Sequence, residues 1–165
     1  MTYATPSQFV QSFGLSEIAD LLSDEQGSIT SELLAEAVAG AFAEGRTDAE
    51  KNIALEGLKR LENALHETCK LMDSYLRNSV VLPLTNEQIA NAPVTACCLD
   101  LSRCYLQDDD DNMTEGTEKR CKRWMDWLRD VSTGKVKIVH EQQSGSHGVM
   151  HGRLPSRYNW RCFGR

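Results

Sequence analysis

The chain has 165 residues, of which 41% are hydrophobic and 25% are charged, the ordinary composition of a soluble globular protein. This length predicts one domain with appendages and enough apolar surface to bury a core. The net charge is −6, and no stretch is long and apolar enough to span a membrane, so we expect a protein made and folded in the cytosol.

Charge is distributed unevenly along the chain. Residues 142–165 hold four arginines and no carboxylate, so they carry +4 while residues 1–141 carry −10. The segment that joins the two regions, "EQQSGSHGVMHG", is polar and glycine-rich, which is typical of a linker. We therefore predict a helical domain at residues 1–141, followed by a flexible linker and an extended C-terminal docking arm at residues 142–165.

Three helices are predicted in the first 43 residues. The first begins at Thr5-Pro6, a capping residue followed by proline at the first helical position, and ends at Gly14. A second short helix is expected from Ser16. A third, alanine-rich helix is expected over residues 31–43, with this apolar stripe: Leu33, Leu34, Ala37, Val38 and Ala41.

The strongest local signal predicts one long helix from residue 48 onward. Thr47 and Glu50 form a capping box, in which the threonine side chain caps the Glu50 amide and the glutamate reaches back. Apolar residues then recur at steps of three and four, at Leu58, Leu61, Leu65, Cys69, Met72 and Leu76. The helix should run to about Arg77 and be about 45 Å long, the spine of a small bundle.

Two further helices are predicted after a connector. Residues 78–93 are expected to be a connector that crosses the fold, with Pro83 and Pro93 excluding helix at its ends. A helix follows at residues 94–106, and an amphipathic helix with two tryptophans on its apolar face follows at residues 117–131. Residues 135–139 should leave it as a short extended segment. The predicted fold class is all-α: a small helical bundle with one long helix, plus an extended C-terminal arm.

The cysteines are expected to be free thiols that pack as small hydrophobes, because disulfides are rare in a reducing compartment. The chain has six of them, at positions Cys69, Cys97, Cys98, Cys104, Cys121 and Cys162. The cysteines do not form pairs of C-x-x-C motifs at the spacing of a zinc finger. A metal site that joins His66 and Cys69 to Cys97 or Cys98 is the less favoured alternative. We predict neither metal nor cofactor.

Two charged clusters are candidate channel or subunit interfaces. The first is an aspartate run without EF-hand spacing, expected to be a solvated loop. The second, "KRCKR", lies beside two tryptophans and would suit nucleic acid, but these tryptophans have core spacing and the pI near 5.2 disfavours attraction to phosphate. The residues concerned are Asp108, Asp109, Asp110, Asp111, Lys119, Arg120, Lys122 and Arg123.

The arm has two chemically different sides if it is extended, because strand side chains alternate in direction. Its arginines fall four residues apart on one side, and its apolar residues fall on the other, apart from Phe163. Arginine, tyrosine and tryptophan are the residues that most often dominate the energy of an interface. The predicted docking residues are Arg153, Leu154, Arg157, Tyr158, Trp160, Arg161, Phe163 and Arg165.

Catalytic motifs are absent from the sequence. Serine, histidine and aspartate residues occur, but in no nucleophile elbow, H-E-x-x-H, P-loop or G-x-G-x-x-G arrangement. We expect a protein that is not an enzyme.

Four blocks resemble, in the same order, those of the Mu-like phage and prophage head–tail connector family. The blocks are "TYATPSQFVQSFG", "CKLMDSYLRNSVVLPL", "APVTACCLDLSRCYL" and "RCKRWMDWLRDVSTGKVKI". The resemblance covers most of residues 2–139, and the stretch at residues 31–52 looks longer than the usual helix of the family. The tail after His140 is expected to lie outside the family pattern.

The resemblance implies an adaptor of tailed phages, a helical subunit that forms a ring of about twelve copies beneath the portal. The partners it implies are the portal protein, neighbouring copies and a stopper or tail-completion protein. Packaged DNA would pass through the ring without sequence-specific binding. The implied location is the host cytoplasm during assembly and then the neck of the virion. The alternative is a small helical DNA-binding or regulatory protein that uses the basic cluster and the arginine tail; a metal-dependent enzyme is a remote third.

Overall fold

The structure, a computed structural model, describes residues 2–23, 28–107 and 113–138. These residues form seven helices and no strand, which confirms the all-α prediction. The helices are α1 (Pro6–Phe13), α2 (Leu15–Leu22), α3 (Ser31–Ala39), α4 (Asp48–Leu76), α5 (Asn86–Asn91), α6 (Val94–Leu106) and α7 (Glu115–Ser132). The predicted arm lies outside the described residues.

Helix α4 is the spine of the bundle, as predicted. Thr47 caps it and forms the expected capping box with Glu50. One side of its 29 residues is buried, because apolar side chains recur at helical spacing and pack against the other helices. Its C-terminal half contacts α6 and α7 in the main core, and its N-terminal half packs against α3 in a smaller cluster around Leu33, Ala37 and Ala54.

Gly57 marks a close approach on α4. A side chain at this position would overlap the terminal methyl group of Ile29, which lies directly over the helix. Glycine costs about 1 kcal/mol relative to alanine within a helix. Here the missing Cβ lets the segment before α3 lie against the spine.

One predicted helix boundary was wrong, and one short helix was not predicted. Helix α3 ends at Ala39 and not at residue 43, because Gly40 adopts the left-handed conformation (φ 70°) that terminates helices, and Ala41 is therefore exposed. The predicted connector contains α5, which begins with a capping box of Thr85 and Gln88. The two prolines lie outside these six residues, so they bound the connector without excluding a short helix inside it.

The segment after α7 turns back onto the bundle and is not extended in a strand. The backbone amides of Lys135 and Val136 both donate to the carbonyl of Asp130, which closes the end of the helix. Ile138 is buried in the main core. The described chain therefore stays attached to the bundle up to its last residue.

The expectation of six free thiols was wrong for one pair. Cys104 on α6 and Cys121 on α7 form a disulfide, with Cα atoms 6.5 Å apart. The two helices pack side by side at this point, which brings together cysteines that have no recognisable spacing in the sequence. The other described cysteines are free and buried, as expected, and Cys162 lies outside the described residues.

Candidate interaction surfaces

The N-terminal segment is anchored to two helices, α4 and α6, through Tyr3. The backbone amide of Tyr3 donates to Cys69 Sγ at 3.3 Å, and its hydroxyl donates to the carboxylate of Asp73. Its carbonyl accepts from the Thr95 hydroxyl at 3.1 Å. Tyr3 is only 4% exposed. These contacts join the first of the four sequence blocks to the second, on α4, and to the third, on α6.

This junction shifts the pKa values of its members. Burial and the hydrogen bond to Asp73 raise the pKa of Tyr3 above its ordinary value. The sulfur atoms of Cys69 and Cys98 lie 3.7 Å apart, and their hydrogen bond lowers the pKa of Cys69 to about 7 while it raises the pKa of Cys98. Burial raises the pKa of Cys97 to about 12. Two of the three thiols are therefore held neutral and inert.

The alternative metal site is not assembled. His66 is exposed on the solvent side of α4, whereas Cys69 faces the core. Within the described ranges, no three side chains of the histidine, cysteine, aspartate or glutamate type are arranged to hold a metal ion. The chemistry of the thiol cluster is that of packing and hydrogen bonding.

The basic cluster lies on the exposed face of α7. Lys119 pairs with Glu115 one turn earlier, and Arg120 Nη1 lies 3.6 Å from the Asp100 carboxylate on α6. Lys122 has no ion pair with any residue that the structure describes, and the same is true of Arg123. The four basic residues predicted as an interface are thus brought to one helix, with two charges open to a partner: Lys119, Arg120, Lys122 and Arg123.

The two tryptophans of α7 pack against the core, as the sequence predicted. Trp124 Nε1 donates to Asp100 Oδ2 at 2.7 Å, and the rings of Trp124 and Trp127 meet edge to face at 5.7 Å. Both rings are half-buried, so their faces are not a platform for nucleic-acid bases. The role of Asp100 was not predicted from the sequence, although Asp100 is the only carboxylate in α6, a signal that favours a polar partner on a neighbouring helix.

A cleft of about 400 Å³ opens where the described chain ends. We call it the exit cleft. Residues 78–80, after α4, form one wall, and residues 132–134 and 136–138, at the end of α7 and after it, form the other. The Ser79 hydroxyl donates to the Val131 carbonyl and joins the two walls. Next to the cleft, Val81 is 87% exposed, more than any other large hydrophobic residue in the described chain.

Neither the arm nor the aspartate run belongs to the described residues. All eight predicted docking residues between positions 153 and 165 lie beyond the last described residue, and the aspartates at positions 108–111 lie between α6 and α7 in an undescribed stretch. The predicted roles of both segments stay predictions.

Fold and surface together define a small all-α protein, built on one long helix, whose described residues include an exposed basic face and an open cleft. No helix of the described chain is both long and apolar enough to cross a membrane. The family model described as "Bacteriophage Mu, Gp36" matches residues 3–150, which is most of the chain. The chain therefore belongs to this family and is a phage protein. No curated protein matches it.

The match corrects one boundary of the resemblance. It extends to residue 150, so the first part of the tail after His140 belongs to the family pattern, contrary to the expectation from the sequence. Residues 151–165, which hold all four arginines of the arm, lie outside the match.

Proposed function

We propose that this protein is a structural component of the virion, a head–tail connector adaptor. Its copies form a ring below the portal, around the DNA channel, and link the portal to the next component of the neck. Membership of the Bacteriophage Mu, Gp36 family over residues 3–150 is the observation that carries the proposal. An all-α bundle with buried thiols and open contact surfaces suits a subunit that works by assembly and not by catalysis.

A closed ring needs two different surfaces on each subunit, because each copy contacts its two neighbours through opposite sides of a head-to-tail interface. Two elements carry suitable charges. Helix α7 exposes Lys122 and Arg123, whereas the α3–α4 hairpin exposes the carboxylates of Glu32 and Asp48. We propose that these two surfaces meet between neighbouring copies and close a ring of about twelve copies.

The C-terminal arm is the proposed portal-docking element. Its arginines can form paired hydrogen bonds with carboxylates of the portal, and its aromatic side chains can fill apolar grooves. Repetition around a ring multiplies a modest affinity of each arm, provided that all arms engage together. The opposite side of the ring would contact a stopper or tail-completion protein. Packaged DNA would pass through the ring without sequence-specific binding.

This role sets the expected location of the protein. Subunits would be made and folded in the host cytoplasm and would then become part of the virion neck.

The test uses purified subunits and heads that carry a portal. Changing Arg157, Trp160 and Arg161 together to alanine should leave soluble, helical subunits that fail to attach. The matched control changes Gln142, Gln143 and Ser146 in the linker to alanine, and it should attach normally. Attachment of both variants to the heads would contradict the proposal that the arm docks on the portal. Particles in which the attached protein forms no ring would contradict the adaptor function itself.

The second candidate is a small DNA-binding or regulatory protein, and one observation favours it. Lys122 and Arg123 project from α7 without an ion pair within the described chain. Gel shift at several salt concentrations separates the two functions. A regulator must bind duplex DNA with an affinity that falls steeply as salt rises, and changing Lys122 or Arg123 to alanine should make that fall less steep. The adaptor needs no such binding.

A further inference from the structure

We propose that, in the free subunit, the exit cleft holds the apolar side of the arm of its own chain, residues 154–163. This inference goes beyond the adaptor function, because it concerns the isolated protein and requires neither a portal nor a ring.

The chemistry of the cleft suits aromatic side chains that carry a polar group. Its volume of about 400 Å³ lies in the range of sites that enclose small ligands. Val80, Val136 and Ile138 contribute apolar groups, while Ser132 and Thr133 contribute hydroxyls. Tyrosine and tryptophan bury an apolar ring and need a partner for one hydroxyl or N–H group. The apolar side of the arm offers both: Leu154, Tyr158 and Trp160.

The charge of the residues that line the cleft determines which side of the arm can enter it. Among the described residues that line the cleft, Lys137 is the only charged one, so none of them offers a carboxylate to an arginine. The cleft therefore accepts the apolar side and leaves the arginines at the surface. There the arm, with its charge of +4, lies against a body that carries −10.

The course of the chain makes its own arm the natural occupant. Ile138 is both the last described residue and part of the cleft wall, so the chain departs from the cleft itself. Residues 139–153 connect it to the arm and span at most about 50 Å. A glycine-rich tether of this length has a mean end-to-end distance of roughly 20 Å. Such tethers raise the local concentration of the attached segment to the millimolar range, so even weak docking is populated.

If the adaptor function holds, this contact has a consequence for assembly. The same aromatic side chains would be required by the exit cleft and by the portal, so the two would compete. A subunit with its arm in its own cleft has no adhesive strand to offer to other copies until a portal is present.

The experiment uses the full chain and its native Cys162. Changing Thr133, on the exposed rim of the cleft, to cysteine places a thiol beside the proposed position of the arm. Oxidised glutathione then takes up the two electrons and two protons of the two thiols and leaves as two molecules of reduced glutathione, while the two sulfur atoms form a disulfide. Of the described native cysteines, three are buried and two are already bonded, so they compete little. The matched control is Asn63→Cys, on the solvent face of α4.

We expect an intramolecular 133–162 disulfide, identified by peptide mass, which forms about tenfold faster than the 63–162 bond because docking concentrates the arm at the cleft. Adding Trp160→Ala to the Thr133→Cys chain should remove that advantage without affecting the fold. Equal rates at positions 63 and 133 would overturn the proposal. Disulfide-linked dimers without the intramolecular product would overturn it too. Neither result bears on portal binding, so the two proposals fail independently.

Discussion

Single side chains decide how the helices of this bundle are oriented. Tyr3, in the segment before α1, and Trp124, on α7, each place one polar group in a largely apolar environment and pair it with a carboxylate on α4 or α6. A buried polar group without a hydrogen-bond partner lowers the stability of the fold, whereas a paired one favours a single arrangement of its neighbours. The two pairs determine which turns of the helices lie next to each other, a matter that apolar burial alone leaves open.

Changing Trp124 to phenylalanine should lower the free energy of unfolding by roughly 1.5–3 kcal/mol, because Asp100 loses the indole donor of a charge-assisted hydrogen bond. Urea denaturation measures the loss. Trp127→Phe is the matched control, because it removes a similar ring area at the same helix without an indole hydrogen bond to a described residue. Equal losses in the two variants would show that ring packing, and not the bond to Asp100, is what matters.

Changing Tyr3 to phenylalanine tests the raised pKa of its hydroxyl. In the unfolded chain this group ionises near its ordinary value of 10.0, while burial and Asp73 keep it protonated in the folded protein. The contribution of Tyr3 is therefore complete below pH 10 and decreases as the pH rises above it. At pH 7 the variant should be less stable by roughly 1–3 kcal/mol.

The pH dependence distinguishes this titration from a simple loss of packing. The difference in stability between wild type and Tyr3→Phe should be constant below pH 10 and should narrow as the pH rises from 10 to 11, measured by thermal melts. Tyr105→Phe, at an exposed tyrosine, is the control for the loss of a phenol hydroxyl. A constant difference at every pH would refute the assignment.

Whole elements show how far local signals reach. Helix α4 was predicted because its capping box and its long apolar stripe are visible over one continuous stretch of sequence. Helix α6 was predicted with the observed bounds. Helix α5 was missed although the same type of capping box begins it. Two prolines near its ends dominated the interpretation, and six residues are too few for a clear apolar period.

The pairing of α6 with α7 makes a prediction about redox state. A disulfide between cysteines 17 positions apart should stabilise the protein by roughly 3 kcal/mol. Reductant should lower the Tm of wild-type protein. The Cys104→Ser/Cys121→Ser chain should melt at the reduced value whether or not reductant is present. Oxidised wild-type protein should titrate as four thiols after denaturation; six thiols would contradict the disulfide.

For the molecule as a whole, the question is where the folded body ends. The seven helices of the described chain all end before residue 133, and Ile138 is the last buried residue among those that the structure describes. Deleting residues 142–165 should therefore leave the helical circular dichroism unchanged and the Tm within about 3 °C. The boundary at residue 142 is a prediction that this deletion checks.

A second deletion is the control for the boundary. Removing residues 136–165 also takes away Val136 and Ile138, which pack against the core, and should lower the Tm clearly. Loss of helix in the shorter deletion would place part of the arm inside the folded body. Equal Tm values for the two truncated chains would show that the turn after α7 contributes nothing to the stability of the fold.

The sequence by itself determined the helical class, the spine α4, the capped starts of α1 and α4 and the likeness to a phage family. These depend on neighbours a few residues apart, where caps and apolar periods act locally. Only the tertiary structure decided that Trp124 meets Asp100, that Cys104 meets Cys121 and that Tyr3 meets Asp73. These pairs are separated by 24, 17 and 70 positions, so they depend on how whole helices pack. The exit cleft is of the same kind, because its walls follow two helices that meet only in the folded bundle.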